Sequence, residues 1–178
     1  MNLRKLDSKK KKKIFYDAAR FFGFKSLLKV YDFRLENGKV FMLSMQLGVA
    51  VDEMPEKLKE RLVFAGIKVG EVGRKFRFTL EGSFFLARKE RKKVYVNEMA
   101  EKLFLYGRDV FSSSIIKDSG DIMENDTVFV CNVWGDILGI GKARYASEVI
   151  EKKGEKIAVE NLVDRGEYLR KKKLYSAF

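Results

Sequence analysis

Residues Thr127–Tyr145 read TVFVCNVWGDILGIGKARY, and this stretch sets the class of the second half of the chain. Two extended apolar runs, Thr127–Trp134 and Ile137–Tyr145, flank Gly135-Asp136. Such a pair suits a two-residue hairpin turn, because glycine takes positive φ without steric cost. The alternating glycines Gly139 and Gly141 fit a bent strand that another backbone approaches closely. They do not open a helix, so Gly139-x-Gly141-Lys142 is no phosphate loop. Cys131, the only cysteine, lies in the apolar run and reads as a core residue rather than a nucleophile.

The pattern continues on both sides. Val94-Tyr95-Val96 reads as a strand, and Asn97 as the cap of a helix that turns Met99, Leu103 and Phe104 to one face and ends at Gly107. Asp109–Phe111, Ile115–Lys117 and Ile157–Val163 are further short strands, which makes this half β-rich. Ahead of it stands Arg88–Lys93, six residues of which five are basic, with no aliphatic or aromatic side chain. We place a linker there, dividing the chain into domains 1–92 and 93–178.

The first half mixes both periodicities. Ile14, Phe15, Ala18, Phe21 and Phe22 recur at helical spacing, with Asp7 or Ser8 as N-cap and Gly23 as C-terminal cap. Val30–Leu35 and Lys39–Met45 flank Glu36-Asn37-Gly38, a hairpin signature. Pro55 stands at the first position of a helix through Leu58, Leu62 and Val63. Lys75–Leu80 alternates strictly and predicts a strand with Phe76, Phe78 and Leu80 inward; Glu81-Gly82-Ser83 then turns into a short strand, Phe84–Ala87. The expected fold class is α+β.

Composition narrows the chemistry. Among 178 residues there is no histidine, which removes the usual general base, the usual zinc ligand and every Ser-His-Asp or Cys-His arrangement. The carboxylates Asp52-Glu53, Asp118/Asp121 and Glu124/Asp126 sit beside turn residues and read as turn and cap formers. Gly66-x-x-x-Gly70-x-x-Gly73 lacks the Gly-Lys-Ser/Thr of a nucleotide loop. A single cysteine fits a reducing compartment, and no apolar run approaches the ~20 residues of a membrane span. The start lacks the apolar core of a secretory signal, so the expected location is cytoplasmic. One glutamine and 35% charged residues resemble the composition of hyperthermophile proteins.

The net charge is +12, which points to a polyanionic partner, nucleic acid ahead of an anionic membrane surface. Residues 1–92 carry 23 Lys and Arg against 11 Asp and Glu, giving +12; residues 93–178 carry 14 of each. Two basic runs stand out: Lys9–Lys13, either a solvated start or an arm for phosphate, and Arg165 with Arg170–Lys173 near the end.

Phe104–Phe111 (FLYGRDVF), Asn125–Val130 (NDTVFV) and Leu138–Ala143 (LGIGKA) resemble the PUA domain, a small β-barrel named for pseudouridine synthases and archaeosine transglycosylases. Glu36–Phe41, the Gly66–Gly73 segment, Thr79-x-x-Gly82-Ser83-Phe84-x-Leu86 and Gly166–Arg170 resemble the ribosome biogenesis family known as nuclear import protein seven, over about residues 13–171. The resemblance implies an N-terminal α/β domain with a mainly antiparallel sheet and flanking helices, then a C-terminal PUA β-barrel. It implies an archaeal-type, non-enzymatic factor for large-subunit assembly and pre-ribosomal RNA processing. Such a factor binds uridine-rich single-stranded RNA and works with assembly or RNA-processing proteins, with no catalytic residue, metal, cofactor, small-molecule substrate or membrane partner. The RNA-binding positions carried over are Arg165, Arg170 and Lys171, extended by Lys172 and Lys173. Tyr168 is a stacking candidate, and Arg108 and Lys142 are further basic candidates. An RNA-modifying enzyme, or an obligate subunit of one, is the alternative.

Overall fold

A computed structural model describes residues 3–6 and 9–170. The chain divides into two compact units between Lys89 and Glu90. The caps expected at Asp7 or Ser8 and the tail at Lys171–Lys173 lie outside the described residues.

The first unit runs β1 (Arg4–Lys5), α1 (Lys9–Phe21), β2 (Tyr31–Glu36), β3 (Lys39–Ser44), α2 (Met45–Glu53), α3 (Glu56–Arg61), β4 (Ile67–Val72), β5 (Phe76–Phe78) and α4 (Leu80–Leu86). Its five strands form one antiparallel sheet in sequence order. The Asn37-Gly38 turn is as expected, with φ of 49° and 85° and Glu36 opposite Lys39. The core is aromatic: the Phe15 ring of α1 meets Phe24, Phe33 and Phe76 at centroid distances of 5.6, 5.1 and 5.1 Å. Phe21, expected inside, is partly exposed, because Ala18, Ala19 and Phe22 complete the buried stripe.

Two elements differ from expectation, and a third, Met45–Glu53, was not anticipated. Thr79 ends the strand early: its hydroxyl accepts a hydrogen bond from the Gly82 N–H (3.0 Å) and caps α4, so Phe84–Leu86, with Ala87 as C-cap, ends a helix where the strand Phe84–Ala87 was expected. Gly82 is required there, since a β-carbon would collide with the Val69 backbone of β4. The helix after Pro55 stops at Arg61, leaving Val63 exposed. Met45–Glu53 folds as a helix capped by the Ser44 hydroxyl, which accepts from the Leu47 N–H.

The second unit runs β6 (Lys93–Val96), α5 (Glu98–Leu105), β7 (Val110–Phe111), β8 (Ile115–Asp118), β9 (Thr127–Cys131), β10 (Ile137–Ala143), α6 (Ser147–Ile150), β11 (Ile157–Asp164) and α7 (Glu167–Arg170). Its six strands are ordered β7-β11-β10-β9-β6-β8 in a nearly closed barrel, antiparallel except where β6 runs parallel to β9. The core is aliphatic, with Val94, Val96, Ile122, Val128, Val130 and Phe104 buried. Asn97 caps α5 as expected, but Met99 and Leu103 face solvent; Ala100 and Phe104 are the buried pair.

The basic run at Arg88–Lys93 is not one exposed linker. Lys92 and Lys93 are buried within the second unit. The Lys92 ammonium donates to Asp126 (2.7 Å) and to the Asp121 carbonyl, and its backbone N–H to the Asp121 carboxylate (2.9 Å). Lys93 opens β6 opposite Phe129. The partners lie about thirty residues downstream, beyond the reach of local pattern.

Candidate nucleic-acid interface

One end of the barrel is built by the last turn of α5, the β9–β10 connection and the segment that follows β11. Gly139 of β10 pairs with Asp164 at the end of β11, and the two backbones are so close that a β-carbon on Gly139 would strike the Val163 carbonyl. The backbone approach expected at the alternating glycines is therefore present, with a register shift between Ile140 and Gly141. The Arg165 N–H donates to the Leu138 carbonyl (2.9 Å), which ties the following turn to β10.

Asp164 is buried and organises this end. It accepts two hydrogen bonds from the Arg170 guanidinium, Nη1 to Oδ1 at 2.9 Å and Nη2 to Oδ2 at 2.7 Å, and a third from Asn161 Nδ2 at 3.2 Å. Arg170 Nη1 also donates to the Leu105 carbonyl at the end of α5. The Asp164 carboxylate raises the guanidinium pKa further above its ordinary range. Gly166 fits under the Leu105 carbonyl, where any side chain would clash. Arg170 thus clasps the C-terminal segment onto α5, with its charge turned toward Asp164.

The other expected residues are distributed as follows. Tyr168 is exposed on α7, and Arg165 is half-buried just before it. Arg108 is exposed, and Asn161 holds its carbonyl at 3.4 Å beside the same segment. Lys142 is half-buried on β10 opposite Glu160, three residues beyond Gly139 and so roughly 10 Å along the strand from the clasp. Arg165, Tyr168, Arg170 and Arg108 are brought together; Lys142 is not.

Sequence reading missed Trp134. The expected two-residue turn is a five-residue connection, Asn132–Asp136, because the buried Asn132 side chain takes over the turn. Asn132 Oδ1 accepts from the N–H groups of Trp134 (3.0 Å) and Asp136 (2.9 Å), and Nδ2 donates to Asp136 Oδ2 (3.2 Å). The result is a braced loop presenting the sole tryptophan at 86% exposure. A lone Trp beside Gly-Asp was the available signal. Among the described residues no group of three or more Cys, Asp or Glu is arranged for a metal, and no helix is long and apolar enough to cross a membrane.

Comparison with known proteins adds the following. Residues 3–80 match the NIP7/UPF0113 pre-PUA domain, and residues 92–173 match the UPF0113 PUA domain. A UPF0113 protein of Archaeoglobus fulgidus is 55% identical over 116 residues, covering 65% of this chain and 66% of that one. A Mus musculus relative named as a 60S ribosome subunit biogenesis protein NIP7 homolog is 31% identical over 144 residues, 79% of this chain and 78% of its own. The Schizosaccharomyces pombe protein of that name is 26% identical over 178 residues, covering 94% and 97%. In structure, a conserved PUA domain protein of Thermoplasma acidophilum superposes with a TM-score of 0.64 at 16% identity, over 94% of this chain and 97% of that one. That likeness concerns the fold.

Proposed function

The chain belongs to the NIP7/UPF0113 family of PUA-domain proteins, and on that premise we propose that it is a non-enzymatic RNA-binding factor in the maturation of the large ribosomal subunit. Its partners are pre-ribosomal RNA and other assembly or processing proteins in the cytoplasm, and the RNA it takes is single-stranded and rich in uridine. The observation that carries this reading is the clasped end of the barrel. Arg165, Arg108 and Tyr168 lie on the segments that the clasp joins, Trp134 is exposed on the connection leading into β10, and the Asp164–Arg170 pair fixes the point from which Lys171–Lys173 follow in sequence. Cationic groups beside exposed rings suit phosphates and unstacked bases. Arg170 serves in this scheme as a positioning residue, and the three lysines as phosphate partners.

Replacing Lys171, Lys172 and Lys173 by Ser tests it on an oligouridylate. Each phosphate contact contributes about 0.7 to the slope of log K against log salt for single strands, so the slope should flatten by up to roughly 2. Replacing Tyr168 should weaken binding by roughly 1–3 kcal/mol without changing the slope. An unchanged slope in the triple variant removes the tail from the RNA site. Turnover of ribosomal RNA by the purified chain would favour a modifying enzyme instead.

A further inference from the structure

The first unit contains a cavity of about 260 Å³, open to solvent, between β1, α1 and the start of β2. Two tyrosines from different elements line it, Tyr16 of α1 and Tyr31 of β2, together with Met45. Lys5 and Lys12 line it as well; the Lys5 ammonium is paired with Asp52 at 3.3 Å, and the Lys12 ammonium lies 5.9 Å from the centre of the Tyr16 ring. Among the described residues its one carboxylate is Asp32, which is engaged by the buried Arg34 guanidinium at 2.7 Å and so does not repel anions as a free aspartate would. The volume falls just under the ~300–1,000 Å³ of typical small-molecule sites, a size that suits a single planar group. The half of the chain around it carries the +12 surplus, with Lys9, Lys12 and Lys13 exposed on the same helix.

Rings that tolerate any π-face, beside cations in a basic surface, are the chemistry of single-stranded nucleic acid. We propose that this cavity is a second RNA contact, taking one unstacked base against Tyr16 and Tyr31, with Lys12 on an adjoining phosphate. The base edge meets Asp32, which accepts hydrogen bonds from ring or exocyclic N–H groups. The inference rests on the RNA-binding reading above but names a separate site on the other unit.

The test uses the full chain and an oligouridylate carrying 5-iodouridine, with adducts mapped by mass spectrometry after irradiation. Adducts are expected at Tyr16 or Tyr31 as well as at the barrel. Tyr16→Ala should weaken binding by roughly five- to hundred-fold with an unchanged salt slope, the range for one stacked base. Tyr16→Phe keeps the ring and should bind like the parent, while Lys12→Ser should flatten the slope by about 0.7. Circular dichroism of each variant confirms that α1 is intact. If Tyr16→Ala binds like the parent and no adduct forms at residues 16 or 31, while the Lys171–Lys173 variant still loses affinity, this second contact is wrong and the barrel site stands. If Tyr16→Phe weakens binding as much as Tyr16→Ala, stacking is wrong. If the unmodified chain binds no RNA at low salt, both proposals fall.

Discussion

Residues 1–92 hold a surplus of 12 positive charges, whereas residues 93–178 balance 14 against 14. Inside, the contrast runs otherwise. Each unit holds a buried cation between two aspartates: Arg34 with Asp32 and Asp52 in the first, Lys92 with Asp121 and Asp126 in the second. The surplus of the first unit therefore lies outside its core, free to attract a polyanion, because the buried charge is already met. The second unit has little net charge to attract anything and concentrates its cations around the clasp and tail. Net charge alone would assign binding to the first half, and the clasped barrel end assigns it to the second. Both assignments hold if each unit carries one contact.

The strongest way to break this comparison is to empty the first clamp. Arg34 is 2% exposed. Its guanidinium donates to Asp52 through Nη1 and Nη2 (2.6 and 2.9 Å), to Asp32 through Nε, and to the Gly48 carbonyl at 3.1 Å. Arg34→Met leaves Asp32 without its counter-charge and Asp52 with only the exposed Lys5, 3.3 Å away. Removing one member of a buried pair costs about 3–5 kcal/mol. Hydrogen exchange followed by mass spectrometry should show that loss in residues 9–86 and leave 93–164 protected. An equal loss in the barrel would mean that the units unfold as one.

How far such features were legible depends on the distance to their partners. The Asn37-Gly38 turn, the α1 stripe, the Asn97 cap and the close approach at Gly139 were read from a few adjacent residues, because turn and cap chemistry is local. The α4 helix was not: Phe76-Arg77-Phe78 alternates, and only the Thr79 hydroxyl reaching the Gly82 N–H breaks the strand. Met45–Glu53 was hidden by its composition, since Val49 and Val51 favour strands and only Gly48 and Val51 are buried. The burial of Lys92 and the clasp of Arg170 depend on aspartates outside their own elements, so Lys92 read as part of a linker and Arg170 as a phosphate contact. Trp134 was taken for the end of a strand because the bracing by Asn132 is a property of the folded loop.

A smaller effect is the shared pH dependence of the two clamps. Arg34, with help from Lys5, holds Asp52 well below the ordinary carboxylate range. Burial pushes Asp121 up, but hydrogen bonds from the Ser119 hydroxyl, the Lys92 N–H and the Arg91 guanidinium outweigh it and hold it low. A carboxylate depressed by folding contributes stability that is complete above its unfolded value, about 3.9 for aspartate, and is lost as the pH falls through the depressed value. Stability should therefore be flat from pH 5 to 8 and fall below about pH 4. Asp121→Asn should cost the second unit about 1.5–3 kcal/mol at pH 7, the range for hydrogen bonds to a charged group. In urea titrations the gap from the parent should shrink toward pH 2. A gap that stays constant with pH would show that shape, not charge, is what Asp121 supplies.

The smallest expected effect is a rate that does not change. Cys131 is fully buried on β9, and burial pushes its thiol up to about 12, with Lys93 pulling weakly the other way. At pH 8 only about one thiol in ten thousand is ionised, and the thiolate is the reactive form. A thiol reagent must therefore wait for the barrel to open, and labelling reports the stability of the second unit alone. Asp121→Asn should speed labelling of Cys131 about tenfold for each ~1.4 kcal/mol it costs, while Arg34→Met should leave the rate as in the parent. Faster labelling in the Arg34 variant would mean that losing the first clamp reaches the barrel core. Rapid labelling of the parent would mean that β9 is open to solvent, and the buried thiol, like the independence of the two units, would have to be given up.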